Sequence, residues 1–231
     1  MAAHYPTIIG IGGIEMAAAS ITHTIGGTSG ISEPGDLILI FLESANQAFT
    51  APVGGGYTQL ASSPQSQGTA GAANAVRLTI FYKIADGTET TYVTGDSGDH
   101  NCVCSFVIRN VDRENPINVT AGTTQAATTA IVCPTVTTTR PECLIIHAMA
   151  SDRDGNSTTN FSTPVNAALA NFQERIDQTF NTQQGGGQGI YTSEKGTAGV
   201  VGTTSFTQGA SEELANITIA IAPLRRRIAV T

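Results

Sequence analysis

Apolar and polar residues alternate along nearly the whole chain, and this pattern predicts β-strands. In Ala75–Ile84, for example, Val76, Leu78 and Ile80 fall on one face of a strand, because side chains alternate with period two. The nearly continuous apolar run Asp36–Glu43 is typical of a central strand covered on both faces. The predicted strands are Ile8–Ile14, Ser20–Ile25, Asp36–Glu43, Ala75–Ile84, Thr90–Thr94, Cys102–Arg109, Ile117–Ala121, Ala130–Val136, Cys143–Ala150, Phe172–Asp177, Gly189–Glu194, Gly199–Phe206 and Ala215–Ala222.

Turn-forming residues separate these runs, as in Glu33-Pro34-Gly35-Asp36. Short strands with such punctuation predict a sandwich or a barrel. Helix is expected only as short turns at Glu15–Ser20 and Asn166–Asn171, and the glycine-rich segments Thr50–Asn74 and Thr179–Gly189 are expected to be long loops. The predicted fold is therefore an all-β, jelly-roll-like antiparallel β-sandwich.

The domain prediction is a single unit over residues 1–231, because neither glycine-rich segment has the charge or length of a linker. Residues 1–7 and 224–231 are predicted to be short terminal arms that reach into neighbouring subunits.

Charge narrows the class of partner. The net charge is −7 and only 13% of residues are charged, about half the usual share. This balance argues against a nucleic-acid partner, which needs a clustered basic surface. Arg225-Arg226-Arg227 is a short basic run, expected to be solvated or to contact an acidic neighbour.

The expected cellular compartment rests on two patterns that the sequence does not show, a membrane span and a signal peptide. No apolar run has the length of a membrane span, and the N-terminus does not resemble a signal peptide, so we expect synthesis in a cytosol and no membrane insertion. The cysteines Cys102, Cys104, Cys133 and Cys143 form no C-x-x-C pair. They are expected to be buried free thiols. A disulfide that forms after release from the cell is the alternative.

Two acidic turns carry candidate chemistry. Gly95-Asp96-Ser97-Gly98 matches the residues around a chymotrypsin-like nucleophile, but Asp99 ends the match and His23 lacks the flanking residues of a catalytic histidine. A surface turn is preferred there, and metal binding by Asp96, Asp99 and His100 is the weaker reading.

Asp152-x-Asp154-x-Asn156 alternates oxygen ligands like the start of a calcium loop. An EF-hand needs Gly and Glu at later positions where this chain has Ser157 and Thr163. A hydrogen-bonded turn is the favoured interpretation, and the binding of an ion by this turn is the alternative.

The remaining candidates are isolated residues. Gly10-Ile11-Gly12-Gly13 is too short for a dinucleotide fingerprint, and His147 is expected to be a satisfied, partly buried core histidine. Glu43 and Glu174 are the acidic residues nearest strands, and their separation decides whether a glycosidase pair exists. We predict no catalytic, cofactor-binding or metal-ligating residue, and no cofactor.

A series of segments in a fixed order resembles one family of proteins. It comprises Pro34-Gly35-Asp36-Leu-Ile-Leu-Ile-Phe, Pro52-Val-Gly-Gly-Gly-Tyr57-Thr58-Gln59-Leu60, Leu78-Thr-Ile-Phe-Tyr-Lys-Ile-Ala-Asp-Gly-Thr-Glu, Phe106-Val-Ile-Arg-Asn-Val-Asp, Asn115-Pro116-Ile117-Asn118-Val119 and Ile217-Thr-Ile-Ala-Ile-Ala-Pro223. Over nearly the whole chain this order resembles β-sandwich virion structural proteins of tailed bacteriophages, of the tail-associated or decoration type. Such proteins often have Trp where this chain has Tyr57.

The resemblance implies a non-enzymatic, oligomeric subunit of the tail, baseplate, collar or fibre, assembled in the host cytoplasm and located in the virion. Its partners would be itself and other virion proteins, with a host-surface glycan as a further candidate partner. One alternative is a capsid decoration protein. Another is a carbohydrate-binding receptor-recognition module, for which Tyr57, Tyr82, Tyr92 and Tyr191 would be the sugar platforms.

Overall fold

The computed structural model describes residues 4–51 and 55–225, and within them the chain is almost entirely β-strand. The strands are β1 (Thr7–Ala17), β2 (Thr22–Thr24), β3 (Leu37–Ser44), β4 (Thr58–Gln59), β5 (Gln65–Gln67), β6 (Val76–Ile84), β7 (Thr91–Val93), β8 (Asn101–Arg109), β9 (Ile117–Cys133), β10 (Thr137–Thr138), β11 (Cys143–Ser151), β12 (Ala170–Phe180), β13 (Gly186–Lys195), β14 (Gly199–Val200) and β15 (Thr204–Ile221). The predicted all-β class is confirmed, and every predicted run contains strand.

Two antiparallel sheets form a sandwich. The first has the order β1-β8-β3-β6-β4, with β5 also paired to β6, and the second has the order β12-β13-β11-β15-β9. The chain completes the first sheet before it begins the second. The jelly-roll topology, which is built from two Greek keys, is therefore not confirmed.

The core lies between the sheets because each sheet turns alternate side chains inward. Leu39, Phe41 and Phe106 of the first sheet pack with Ile146 and Ile217 of the second. All eight residues of β3 are buried, as its apolar run predicts.

The outer face of each sheet is covered as well. Ile38, Ile40 and Phe81 pack under a flap that is formed by β2, residues 25–27 and β7, and that contributes Ile25 and Tyr92. On the second sheet, β9 and β15 run beyond β11, and their far ends fold back over its outer face, where Ile131 and Phe206 contact Met149. These far ends and residues 161–165 form a small third layer, which we call the outer layer.

Four sequence expectations are corrected. The predicted strands Ile117–Ala121 and Ala130–Val136 are largely one strand, β9. The strand β15 joins only the end of the predicted strand Gly199–Phe206 to Ala215–Ala222, and the start of that predicted strand forms β14. The predicted loop Thr179–Gly189 shrinks to residues 181–185, because Gly186, Gly187 and Gly189 of β13 pair with β12. Thr50–Asn74 contains β4 and β5.

The predicted helical turns at Glu15–Ser20 and Asn166–Asn171 do not form, and the helical element in the described residues is a 3-10 turn at Ile25–Gly27. No helix in the described part of the chain has the length and apolar character needed to cross a membrane.

Parts of both predicted arms, residues 1–3 and 226–231, lie outside the described residues, as do Pro52, Val53 and Gly54 of the glycine-rich loop.

Candidate functional site

A serine, a histidine and a carboxylate converge beneath the flap on the first sheet. The Nε2 atom of His23 on β2 lies 2.9 Å from the Oγ of Ser105 on β8, and its Nδ1 lies 3.4 Å from an oxygen of Glu15 on β1. Burial lowers the pKa of His23, although Glu15 acts in the opposite direction. This is the order of groups in a serine-hydrolase triad. The sequence did not indicate a role for Ser105, which looks like an ordinary strand position, or for Glu15, which was expected in a short helical turn.

This cluster lacks the access that a triad needs. Ser105 is fully buried, and the amide of Gly26 donates to its Oγ at 3.0 Å. The main chain of Gly12 lies directly above, so a methyl group there would come within 2.4 Å of both the Ser105 Oγ and the His23 Nε2. The geometry therefore fits internal packing of β1 and β2 on β8. The predicted candidate Ser97 lies elsewhere, in a turn where its hydroxyl donates to the His100 carbonyl at 2.8 Å.

A second buried cluster joins the two sheets. His100 Nε2 lies 3.2 Å from each carboxylate oxygen of Glu43 on β3, and its Nδ1 lies 2.8 Å from Asp99. The Asp99 carboxylate also accepts the amide of Gln184, which belongs to the β12–β13 turn of the second sheet, at 3.1 Å. Gly186 packs against Glu43, where a Cβ would be 2.7 Å from a carboxylate oxygen. The cluster therefore ties the end of the central strand β3 to a hairpin of the other sheet.

Electrostatics favours a charged His100. Burial alone would lower its pKa, but Glu43 and Asp99 together raise the pKa to about 9. Burial raises the pKa of Glu43, and His100 opposes that shift. Asp96, the third residue of the candidate metal turn, instead accepts the amide of Gly98 through its side chain.

The raised pKa of His100 predicts a loss of stability at alkaline pH. Its stabilising effect is complete below the unfolded-state pKa near 6.5 and disappears as the pH rises through about 9. The expected loss between pH 7 and pH 9 is about 2 kcal/mol, measured by urea unfolding at both values. A variant carrying both E43Q and H100Q should lose clearly less over the same interval. An equal loss in the variant would contradict the assignment to His100.

His147 is a neutral core histidine, as predicted, but it is fully rather than partly buried. Burial lowers its pKa to about 3, and its ring nitrogens contact the hydroxyls of Thr204 at 3.1 Å and Thr218 at 3.3 Å. It thereby fastens the outer layer to β11.

The turn at Asp152, Asp154 and Asn156, for which ion binding was the alternative to a hydrogen-bonded turn, does not present these three residues together. Asp152 is buried, and burial together with Glu212 and Glu213 raises its pKa to about 7. Asp154 and Asn156 are exposed. In the described residues no group of three or more His, Cys, Asp and Glu side chains is arranged to hold a metal ion.

The tyrosines considered as sugar platforms are mostly inside the protein. Tyr92 and Tyr191 are buried, and Tyr57 packs edge-on against Tyr92 at 5.8 Å. The Tyr191 hydroxyl donates to Glu174 at 3.0 Å beside a cavity of about 150 Å³. Tyr82 is partly buried on the inner face of β6.

The four cysteines are free and buried, and burial raises the pKa of each thiol. Arg225 is held by its own chain, since its Nε donates to Asp112 at 2.6 Å, while Arg226 and Arg227 lie outside the described residues.

The outer layer presents a flat surface without charge. In it, Val132 lies opposite Ser205, and Ser205 is bridged on its other side by Val165. The neighbouring residues Ile131 and Phe206 point inward and are buried. We call the outward set the neutral face; it consists of Ala130, Val132, Val165, Ser205 and Thr207, all exposed.

Charged residues lie at the margins of this face. Glu212 pairs with Thr128, two positions beyond Ala130, and Glu174 lies beside Pro164. Val165 is 70% exposed and Val132 is 44% exposed, among the most exposed large apolar side chains of the described residues. An uncharged centre with a charged rim is typical of a protein interface.

The strand β9 adds an uncharged sheet edge. It is 17 residues long, contains no charged residue and no proline, and lies at the end of the second sheet. Natural edge strands usually carry charge, proline or bulges that prevent pairing with other chains. The strand β9 has irregularities in its pairing with β15 but no charge, whereas the opposite edge strand, β12, carries Glu174, Arg175 and Asp177.

Comparison with known proteins found no match for this chain, so its function has to be inferred from its own residues. No protein-family model matches the chain, no curated protein matches it, and no solved structure matches it.

Proposed function

We propose that this chain is a structural subunit of a bacteriophage particle, in the tail, baseplate, collar or fibre, and that it works without catalysis by binding copies of itself and other virion proteins. The observation that carries the proposal is the neutral face together with the uncharged edge of β9. Surfaces of this kind are liabilities in a protein that stays alone and joints in one that assembles.

Two further observations support an assembly role. His23, His100 and His147 are buried, and each has a ring nitrogen within hydrogen-bond distance of a neighbouring side chain. The Ser105 hydroxyl of the triad-like cluster is sealed by Gly12. The sheets are also fastened to each other by Glu43, His100 and Asp99, which suits a rigid building block.

Mass spectrometry of purified particles tests the proposal. We expect peptides of the chain in particles purified from lysates of the host in which its gene is expressed, at a few to dozens of copies per particle. Hundreds of copies would instead support the capsid-decoration alternative. Absence from particles, combined with a persistently monomeric purified protein, would reject both.

The carbohydrate-binding alternative has its own test. The buried positions of Tyr92 and Tyr191 leave few aromatic surfaces for stacking against a sugar ring. Binding on a glycan array that is lost on changing Glu174, beside the small cavity, would support that alternative.

A further inference from the structure

We infer that the neutral face is where two copies of this chain bind each other, face to face, around a twofold axis. This inference rests on the proposed function and names the partner for one of its surfaces. The occupant is a second copy rather than an unrelated protein, for reasons of charge and geometry.

The distribution of charge favours the neutral face as the contact surface between two copies. Each copy has a net charge of −7, so two copies repel each other over most of their surfaces. Ala130, Val132, Val165, Ser205 and Thr207 contribute no charge to that repulsion. A basic partner would gain nothing from an uncharged surface and would favour the acidic parts of the chain.

Geometry makes the face self-complementary. Val132 and Val165 flank Ser205 on adjacent strands, each about 4.8 Å away in the sheet direction. A twofold axis that runs parallel to β15 above Ser205 places Val132 of one copy over Val165 of the second copy, and the reverse. The same contact is therefore made twice, as an isologous interface requires. Only small side chains lie between the valines, so two flat faces can approach to the usual spacing of packed sheets, about 10 Å.

The size of the face sets the strength of the contact. Its five residues are far fewer than the roughly 20–30 residues on each side of a standard interface. One such contact alone gives a weak dimer. In a particle, where other contacts hold the copies close together, the high effective concentration is sufficient to keep it formed.

Sedimentation velocity over micromolar to millimolar concentrations tests the inference. The wild-type chain should shift reversibly from monomer to dimer as its concentration rises. V165D and V132D should each raise the dissociation constant at least tenfold, because a carboxylate is then buried in the contact twice. V93D is the matched control, since Val93 is 56% exposed on β7 at a separate surface, and it should leave the constant unchanged. Thermal melts confirm that the variants are folded.

The outcomes separate this inference from the proposed function. A wild-type monomer at every concentration, or an equal loss of dimer in V93D, overturns the inference. A dimer that V165D and V132D do not weaken also overturns it, because another surface then makes the contact. In each of these cases the protein can still be found in purified particles, and that measurement decides the proposed function separately.

Discussion

Replacing His100 with alanine is expected to lower the free energy of unfolding by about 3–5 kcal/mol, because it leaves a buried carboxylate without its partner. Glu43 is fully buried, and both of its carboxylate oxygens lie 3.2 Å from the Nε2 of His100. The same change removes the link through Asp99 to the hairpin of the second sheet. Urea unfolding at pH 7 measures the effect.

Two variants control this experiment. H4A changes an exposed histidine and should alter stability by less than about 0.5 kcal/mol. The double variant E43Q/H100Q removes both charges and should cost less than H100A alone. If H100A and H4A had equal effects, the buried pair would not hold the sheets together.

Replacing Gly12 with alanine is expected to cost about 3–5 kcal/mol, through overpacking and the loss of a buried hydrogen bond. The new methyl group would approach the Thr24 carbonyl to 2.8 Å and the His23 and Ser105 side chains to 2.4 Å. One of the two polar groups must then move and lose its partner.

The neighbouring residue supplies a matched control. A Cβ at Gly13 meets nothing within 4 Å, so G13A should change the unfolding free energy by less than about 1 kcal/mol. Thermal unfolding of the two variants side by side gives the comparison. A mild effect of G12A would mean that the flap above Ser105 opens easily, and the triad-like cluster would then have to be tested for hydrolase activity.

The strands were predictable because their signal is local. Period-two alternation located β6 and β8 within a residue or two, and the apolar run of β3 correctly indicated burial on both faces. The continuity of β9 was not predictable, because residues 122–129 are Gly, Thr, Gln and Ala without apolar alternation. Their strand conformation comes from pairing with β15, about 90 residues later.

The residue pairs in the polar clusters were even less predictable from the sequence. His23 and Ser105 are 82 residues apart, and Glu43 and His100 are 57 apart. His23, His100 and Glu43 are each recognisable as candidate residues in the sequence, but no local signal pairs His23 with Ser105 or Glu43 with His100. His147 was assigned correctly because its apolar neighbours alone indicate a core position.

The sequence by itself determined the all-β class and most strand positions, because strand periodicity and turn chemistry act between near neighbours. Only the tertiary structure decided which sheet each strand joined, that Ser105 would be sealed under Gly12, and that Val132 and Val165 would share an exposed face. These outcomes depend on contacts between residues far apart in the chain, and such contacts leave no periodic trace in the local pattern.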